Sequence, residues 1–192
     1  THSMLRRTSL ALLLASMLGG CSSNSDESSS GDSSPQLVAE GVHFSLYALA
    51  GESVFWVTCS DTCELKVTPK AGGVTKTLDS EPEIVAVTGD ATSAYYLVSK
   101  PTTTEVRMVP ITGGSPVIAA TVDGHPSHLA VTGAYVYADE WRIPKAGGTA
   151  EQQPSMCSVW ALVADGAAAY AIAGTTDASG CEVNHSVFAL GA

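Results

Sequence analysis

Three copies of one turn do most to limit what this chain can fold into. They are Pro69-Lys70-Ala71-Gly72-Gly73, Pro110-Ile111-Thr112-Gly113-Gly114 and Pro144-Lys145-Ala146-Gly147-Gly148. Each follows a short strand-like run, namely Leu65-Lys66-Val67-Thr68, Val106-Arg107-Met108-Val109 and Trp141-Arg142-Ile143. Gly-Gly supplies the positive φ that a tight hairpin needs. The proline ends the strand where its missing N–H costs least. A second element recurs between these turns: Ala48-Leu49-Ala50-Gly51, Ala86-Val87-Thr88-Gly89, Ala130-Val131-Thr132-Gly133 and, more loosely, Val163-Ala164-Asp165-Gly166. An aromatic run follows each, carrying Trp56, Tyr96, Tyr137 and Tyr170 in turn.

One unit therefore reads strand, Gly turn, aromatic strand, loop, strand, Pro-x-x-Gly-Gly turn, strand. Four strands, A to D, in a unit of about 40 residues is the arithmetic of a propeller blade. The fourth unit supplies A, B and a C strand at Ser186-Val187-Phe188-Ala189-Leu190, then stops. Pro35-Gln36-Leu37-Val38-Ala39-Glu40 precedes the first A strand and is similar to the D strand Pro116-Val117-Ile118-Ala119-Ala120-Thr121. The expectation is an all-β fold: a four-bladed β-propeller closed by an N-terminal D strand, which hides the sheet edges. A β-sandwich and a partial propeller that completes its ring by association are the alternatives.

With these residues in view, the chain resembles bacterial β-propeller lipoproteins whose divergent blades carry the pattern A-V-x-G … Y … V-P-x-x-G-G. The resemblance covers nearly all of residues 35–192. It implies a fold and leaves the activity open, because propellers host unrelated functions.

The N-terminus gives an address. Arg6-Arg7 precedes an apolar run over 10–18, too short to span a bilayer as a helix, which takes about 20 residues. Leu18-Gly19-Gly20-Cys21 closes it and resembles a lipobox. That resemblance implies cleavage before Cys21 and a diacylglyceryl thioether on its sulfur, with more than one acyl chain for stable anchoring. Residues 1–3 read as an expression scar and 4–20 as the signal peptide. Residues 21–34 are the lipidated cysteine and a serine-dominated tether that buries nothing. With Ser rather than Asp at position 22, the expected location is the cell envelope, lipid-anchored, at the outer membrane if the cell is Gram-negative.

Aromatics make up 6% of the chain and glycine occurs 18 times, a strand-and-turn composition. Nine basic residues against nineteen acidic ones, a formal charge of −10, exclude a nucleic-acid partner. Of the five cysteines, Cys21 goes to lipid. Cys59 and Cys63 flank a short loop between two strand-like runs, which leaves Cys157 and Cys181 for each other. Four cysteines in an exported chain allow three connectivities, and this is the pairing preferred.

On a propeller the D–A and B–C loops share one face, and the A–B and C–D turns the other. The longer loops mark the first face as the binding face. The residues expected there are His43, Asp61, His125, His128 and Asp177, with Glu64 and Glu182 beside them. The recurring aromatics are assigned to packing between blades, Trp141 and Trp160 to the core, and Lys66, Arg107 and Arg142 to solvent. No cofactor or metal site is read from the spacing, and no catalytic motif occurs. The reading is a non-catalytic binding or scaffold lipoprotein with a protein or envelope-glycan partner. The alternatives are a carbohydrate-binding propeller and a metal-dependent lactonase- or lyase-like propeller enzyme.

Overall fold

The computed structural model describes residues 37–38, 46–153, 156–177 and 180–190, with 176–177 and 181–185 described in their backbone alone. They belong to one compact unit, Gln36–Ala192. Every regular element among them is a β-strand, and the strands form four antiparallel sheets in chain order. Sheet 1 holds β1 (Tyr47–Ala50), β2 (Ser53–Cys59), β3 (Cys63–Pro69) and β4 (Lys76–Glu81). Sheet 2 holds β5 (Ile84–Gly89), β6 (Ser93–Ser99), β7 (Thr103–Pro110) and β8 (Val117–Asp123). Sheet 3 holds β9 (Leu129–Val131), β10 (Tyr135–Ala138), β11 (Trp141–Pro144) and β12 (Glu151–Gln152). Sheet 4 has three strands, β13 (Met156–Ala164), β14 (Ala169–Asp177) and β15 (Gly180–Leu190). These are the four repeat units, with the fourth strand of the last one missing among the described residues.

The repeated turn recurs in geometry as well as in letters. Gly72, Gly113 and Gly147 each donate their N–H to the carbonyl of the proline three residues earlier, at 2.9, 2.9 and 3.1 Å. Both glycines of every pair have positive φ, from 79° at Gly72 to 136° at Gly148, a backbone region that strains any residue with a side chain. The residue after each proline (Lys70, Ile111, Lys145) donates its N–H to the A–B turn of its own sheet, at Glu52, Thr92 and Ala134. The A–B and C–D turns therefore lie side by side at one end. The connection is longer than a two-residue hairpin, because the D strand restarts several residues beyond the glycines.

The sheets stack through three successive cores. Phe55, Val57 and Leu65 of sheet 1 pack with Ile84, Tyr96 and Val109 of sheet 2. Tyr95, Leu97 and Val106 of sheet 2 pack with Val136, Ala138 and Ile143 of sheet 3. Ala130 and Tyr137 of sheet 3 pack with Leu162, Ala171 and Leu190 of sheet 4. This sorts the recurring aromatics into two sets. Opposite the inner strand, Phe55 pairs with Ala48, Tyr95 with Thr88, Tyr137 with Ala130 and Tyr170 with Val163. These four share one position, on the face turned to the next sheet. Trp56 and Tyr96 sit one residue on and turn to the opposite face, so the grouping of Trp56 and Tyr96 with Tyr137 and Tyr170 crosses the pleat. None of the four sheets closes on itself. Of the expected closing strand, Leu37 and Val38 lie outside any strand, and 35–36 and 39–40 fall outside the described residues. So do the signal segment, Cys21 and the tether.

Candidate functional site

The inner strands of all four sheets end around one cavity of about 560 Å³. Leu49, Ala50 and Gly51 reach it from β1, Thr88 and Gly89 from β5 with Asp90 just beyond, Ala130 to Gly133 from β9 and its turn, and Leu162 to Gly166 from β13 and its turn. The cavity lies at the A–B turn end because each inner strand runs toward its glycine turn, where side chains are small and leave room. Leu49, Val131, Leu162 and Val163 give the wall apolar patches among polar groups such as Thr88 and Thr132, and Asp90, Lys145 and Asp165 supply its charges.

Each of those charges is tied to a turn. The Oδ1 of Asp90 accepts the N–H of Thr92 at 2.8 Å, that of Ser93 at 2.9 Å and the Thr92 hydroxyl at 2.7 Å. Its Oδ2 accepts Lys145 Nζ at 2.6 Å, and the Tyr95 hydroxyl at 3.4 Å. Lys145 also donates to the Thr132 carbonyl at 3.2 Å and lies 5.5 Å from the centre of the Tyr95 ring. Asp90 belongs to sheet 2 and Lys145 to sheet 3, so this cluster joins two sheets at the cavity rim. Asp165 caps the fourth A–B turn by accepting the N–H groups of Ala167 and Ala168, both at 2.9 Å.

Burial by itself raises the pKa of Asp90, but the lysine, the Thr92 hydroxyl and the two backbone N–H groups outweigh it and hold the carboxyl at about 2, below its ordinary 3.8. A folded-state pKa below the unfolded one means that the carboxylate stabilises the fold fully above about pH 4 and loses that contribution as the pH falls toward 2. The linked contribution is about 2 kcal/mol at neutral pH. Urea melts of the wild type and Asp90→Asn at several pH values should differ by that amount near neutrality and converge in acid. Curves that stay parallel down to pH 2 would remove the assignment.

The loop-face residues lie at the other end of the sheets. Asp61 is exposed in the turn closed by the Cys59–Cys63 disulfide. His125 is exposed, and His128 is half-buried with Nδ1 2.8 Å from Asp139 Oδ1. Asp139 also accepts the N–H groups of Ser127 and His128, at 2.9 and 3.1 Å. One D–A junction and one B–C turn thus meet on one face, as the repeat predicts, and Asp139 was not foreseen. Its φ of 46° fits a residue type that tolerates the left-handed region. Glu64 pairs with Lys66 at 3.0 Å. Asp61, His125 and His128 do not line the cavity. His43 and the side chains of Asp177 and Glu182 fall outside the described residues. Among the described residues, no group of three His, Cys, Asp or Glu side chains is placed to hold a metal. Cys157 is disulfide-bonded; the side chain of Cys181 lies outside the described residues, so their pairing stays an expectation.

Two assignments change. Trp160 is exposed on sheet 4, whereas Trp141 packs on the core between sheets 2 and 3. Arg107, expected in solvent, is largely buried between sheets 1 and 2 among Glu81, Asp79 and Glu105. Sequence alone had no means of finding the cavity, because its lining comes from four turns whose letters read only as turn chemistry.

No protein-family model matches the chain, and no curated protein is similar to it. Among solved structures, the chain is similar to the crystal structure of the computationally designed Ika4 protein, with a TM-score of 0.50 and 18% identity over 82% of this chain and 99% of that one. At that identity the likeness concerns the fold alone.

Proposed function

We propose that this chain is a lipid-anchored, non-catalytic binding protein of the bacterial cell envelope. Its four sheets are the blades of a propeller-type arrangement, and its ligand binds where the inner strands converge. The observation that carries the reading is the cavity itself: four inner strands, one from each sheet, end around it. The charged groups at its wall already satisfy one another or cap turns, which suits holding a ligand rather than transferring a proton. A wall that mixes apolar patches with polar groups and carboxylates favours a compact ligand that carries hydroxyl or amine donors beside an apolar part. Anchoring through Cys21 and reach through the serine-rich tether place such a site at the membrane surface. Exposed Trp160 gives the carbohydrate-binding reading one specific support, since a sugar ring stacks on an exposed indole.

The test is a thermal-shift screen of the mature chain, residues 21–192 with Cys21→Ser, kept oxidised, against cell-wall glycan fragments, short peptides and amphiphilic amines. A ligand at 100 times its Kd adds about 2.7 kcal/mol. Gly133→Phe is the site variant, because a Cβ there meets nothing nearer than the Gly166 carbonyl at 3.8 Å. The expected result is a melting shift lost in Gly133→Phe and kept in His125→Ala. A shift kept in Gly133→Phe and lost in His125→Ala returns the site to the loop face. A shift confined to glycans and lost in Trp160→Ala favours the sugar reading.

A further inference from the structure

The three cores between sheets are built alike. At each, an aromatic residue on the second strand of one sheet and its apolar neighbours press on the facing side of the inner and middle strands of the next. Phe55 fits so closely on Gly89 that a Cβ there would lie 2.3 Å from its ring. Tyr95 and Tyr137 occupy the same position at the second and third cores and are buried. Tyr170 is the fourth member of that series, and among the described residues no further sheet packs on it. Together with Ile172 and Val187, its direct partner across the ladder, it leaves sheet 4 with an apolar face. The three are 40%, 42% and 73% exposed. At the other end, no sheet among the described residues precedes sheet 1, and Tyr47 and Leu49 on that side are 63% and 64% exposed. No core cluster among the described residues joins sheet 4 to sheet 1.

We infer that two copies of this chain pack head to tail, the Tyr170–Ile172–Val187 face of sheet 4 in each seating on the Tyr47–Leu49 face of sheet 1 in the other. The occupant follows from continuity. A face in the register of Phe55, Tyr95 and Tyr137 is complementary to the side of a sheet that receives them, and the uncovered receiving side belongs to sheet 1. Among the described residues the two faces are exposed together, and a second copy is the partner that supplies a match to both. A heterologous contact of this kind propagates unless it closes, and two copies related by a two-fold axis close it with no end face left over. Burying these exposed apolar side chains on both sides drives the association. This inference rests on the succession of sheets and not on the ligand in the cavity.

The experiment is sedimentation velocity on the mature chain, residues 21–192 with Cys21→Ser, over a concentration series. The wild type should run at twice the mass of one chain. Val187→Lys and Tyr47→Glu change exposed side chains, so each folds, and each alone should run as a single chain. Mixed one to one they should return to twice the mass, because one contact regains an opposite-charge pair and the other is wild type on both sides. That recovery is specific to a head-to-tail contact. A wild type at the mass of one chain throughout would overturn the inference, and protection of Tyr170 from hydroxyl-radical labelling would then assign the face to the chain's own sheet 1. Assemblies growing beyond two copies with concentration, or variants that leave the doubled mass intact, would also overturn it.

Discussion

Phe55→Ala should lower the unfolding free energy by about 3–5 kcal/mol, the cost of deleting a fully buried aromatic ring. Phe55 is 0% exposed and packs on Gly89, whose ideal Cβ would stand 2.3, 2.8 and 3.0 Å from three atoms of the phenyl ring. Glycine is there for space rather than for backbone conformation. The complementary substitution, Gly89→Ala, should therefore cost about 1–3 kcal/mol by overpacking. In Phe55→Ala the backbones cannot close on the void, because β2 and β5 are held in separate ladders. Val74→Ala, at an exposed site between β3 and β4, should stay within about 0.5 kcal/mol of the wild type. Urea melts read all three. A loss under about 1.5 kcal/mol in Phe55→Ala, the lower range of a buried methylene or two, would mean that the first core collapses around the gap.

The limits of the sequence reading are visible at individual residues. The Pro-x-x-Gly-Gly turns were legible because their chemistry is local: a proline carbonyl accepting an N–H three residues on, then two glycines at positive φ. Strand pairing within each sheet was legible for the same reason, since consecutive strands joined by short turns pair as neighbours. Which face of a strand meets which neighbour was not. Phe55 and Trp56 are adjacent letters, yet Phe55 faces sheet 2 and Trp56 faces the other way, its Nε1 donating to the Thr68 hydroxyl at 3.0 Å. A register error of one residue exchanges them, and the alignment of Trp56 and Tyr96 with Tyr137 made that error. The binding face was drawn from loop length and polarity, which marked His125 and His128. The cavity is a separate feature, set among Gly51, Gly89, Gly133 and Gly166, residues whose signal is the absence of a side chain. A cavity lined by turns from four sheets is a property of how the sheets converge, and convergence is nowhere encoded locally.

Arg107→Met should cost about 3–5 kcal/mol, the penalty for removing one partner from a largely buried ionic cluster. The side chain of Arg107 is 17% exposed, and those of Glu81 and Glu105 are equally shielded. Its Nε and Nη2 hold Glu105 at 2.9 and 2.7 Å, its Nη1 bonds Glu81, and Asp79 lies 3.8 Å away. Burial alone would lower the guanidinium's pKa, but these carboxylates raise it above its ordinary value. Asp79 accepts in turn from the Tyr96 hydroxyl. Asp79 and Glu81 belong to β4 of sheet 1, and Arg107, Glu105 and Tyr96 to sheet 2, so the arginine bridges two sheets outside the apolar core. Without it, carboxylates from two sheets face one another with Lys100 as the nearest cation, 3.7 Å from Glu105. The loss therefore comes from stranded charge and not from the bridge's own attraction, a distinction that a second variant exposes. Arg107→Met combined with Glu81→Gln and Glu105→Gln removes the charge as well as its partner and keeps Asp79 for Tyr96. That triple variant should recover most of the stability in urea melts, because replacing a shielded ion cluster costs far less than breaking one. If the triple variant is as unstable as Arg107→Met, the arginine acts by filling space and directional hydrogen bonding, and the electrostatic account of the joint between sheets 1 and 2 fails.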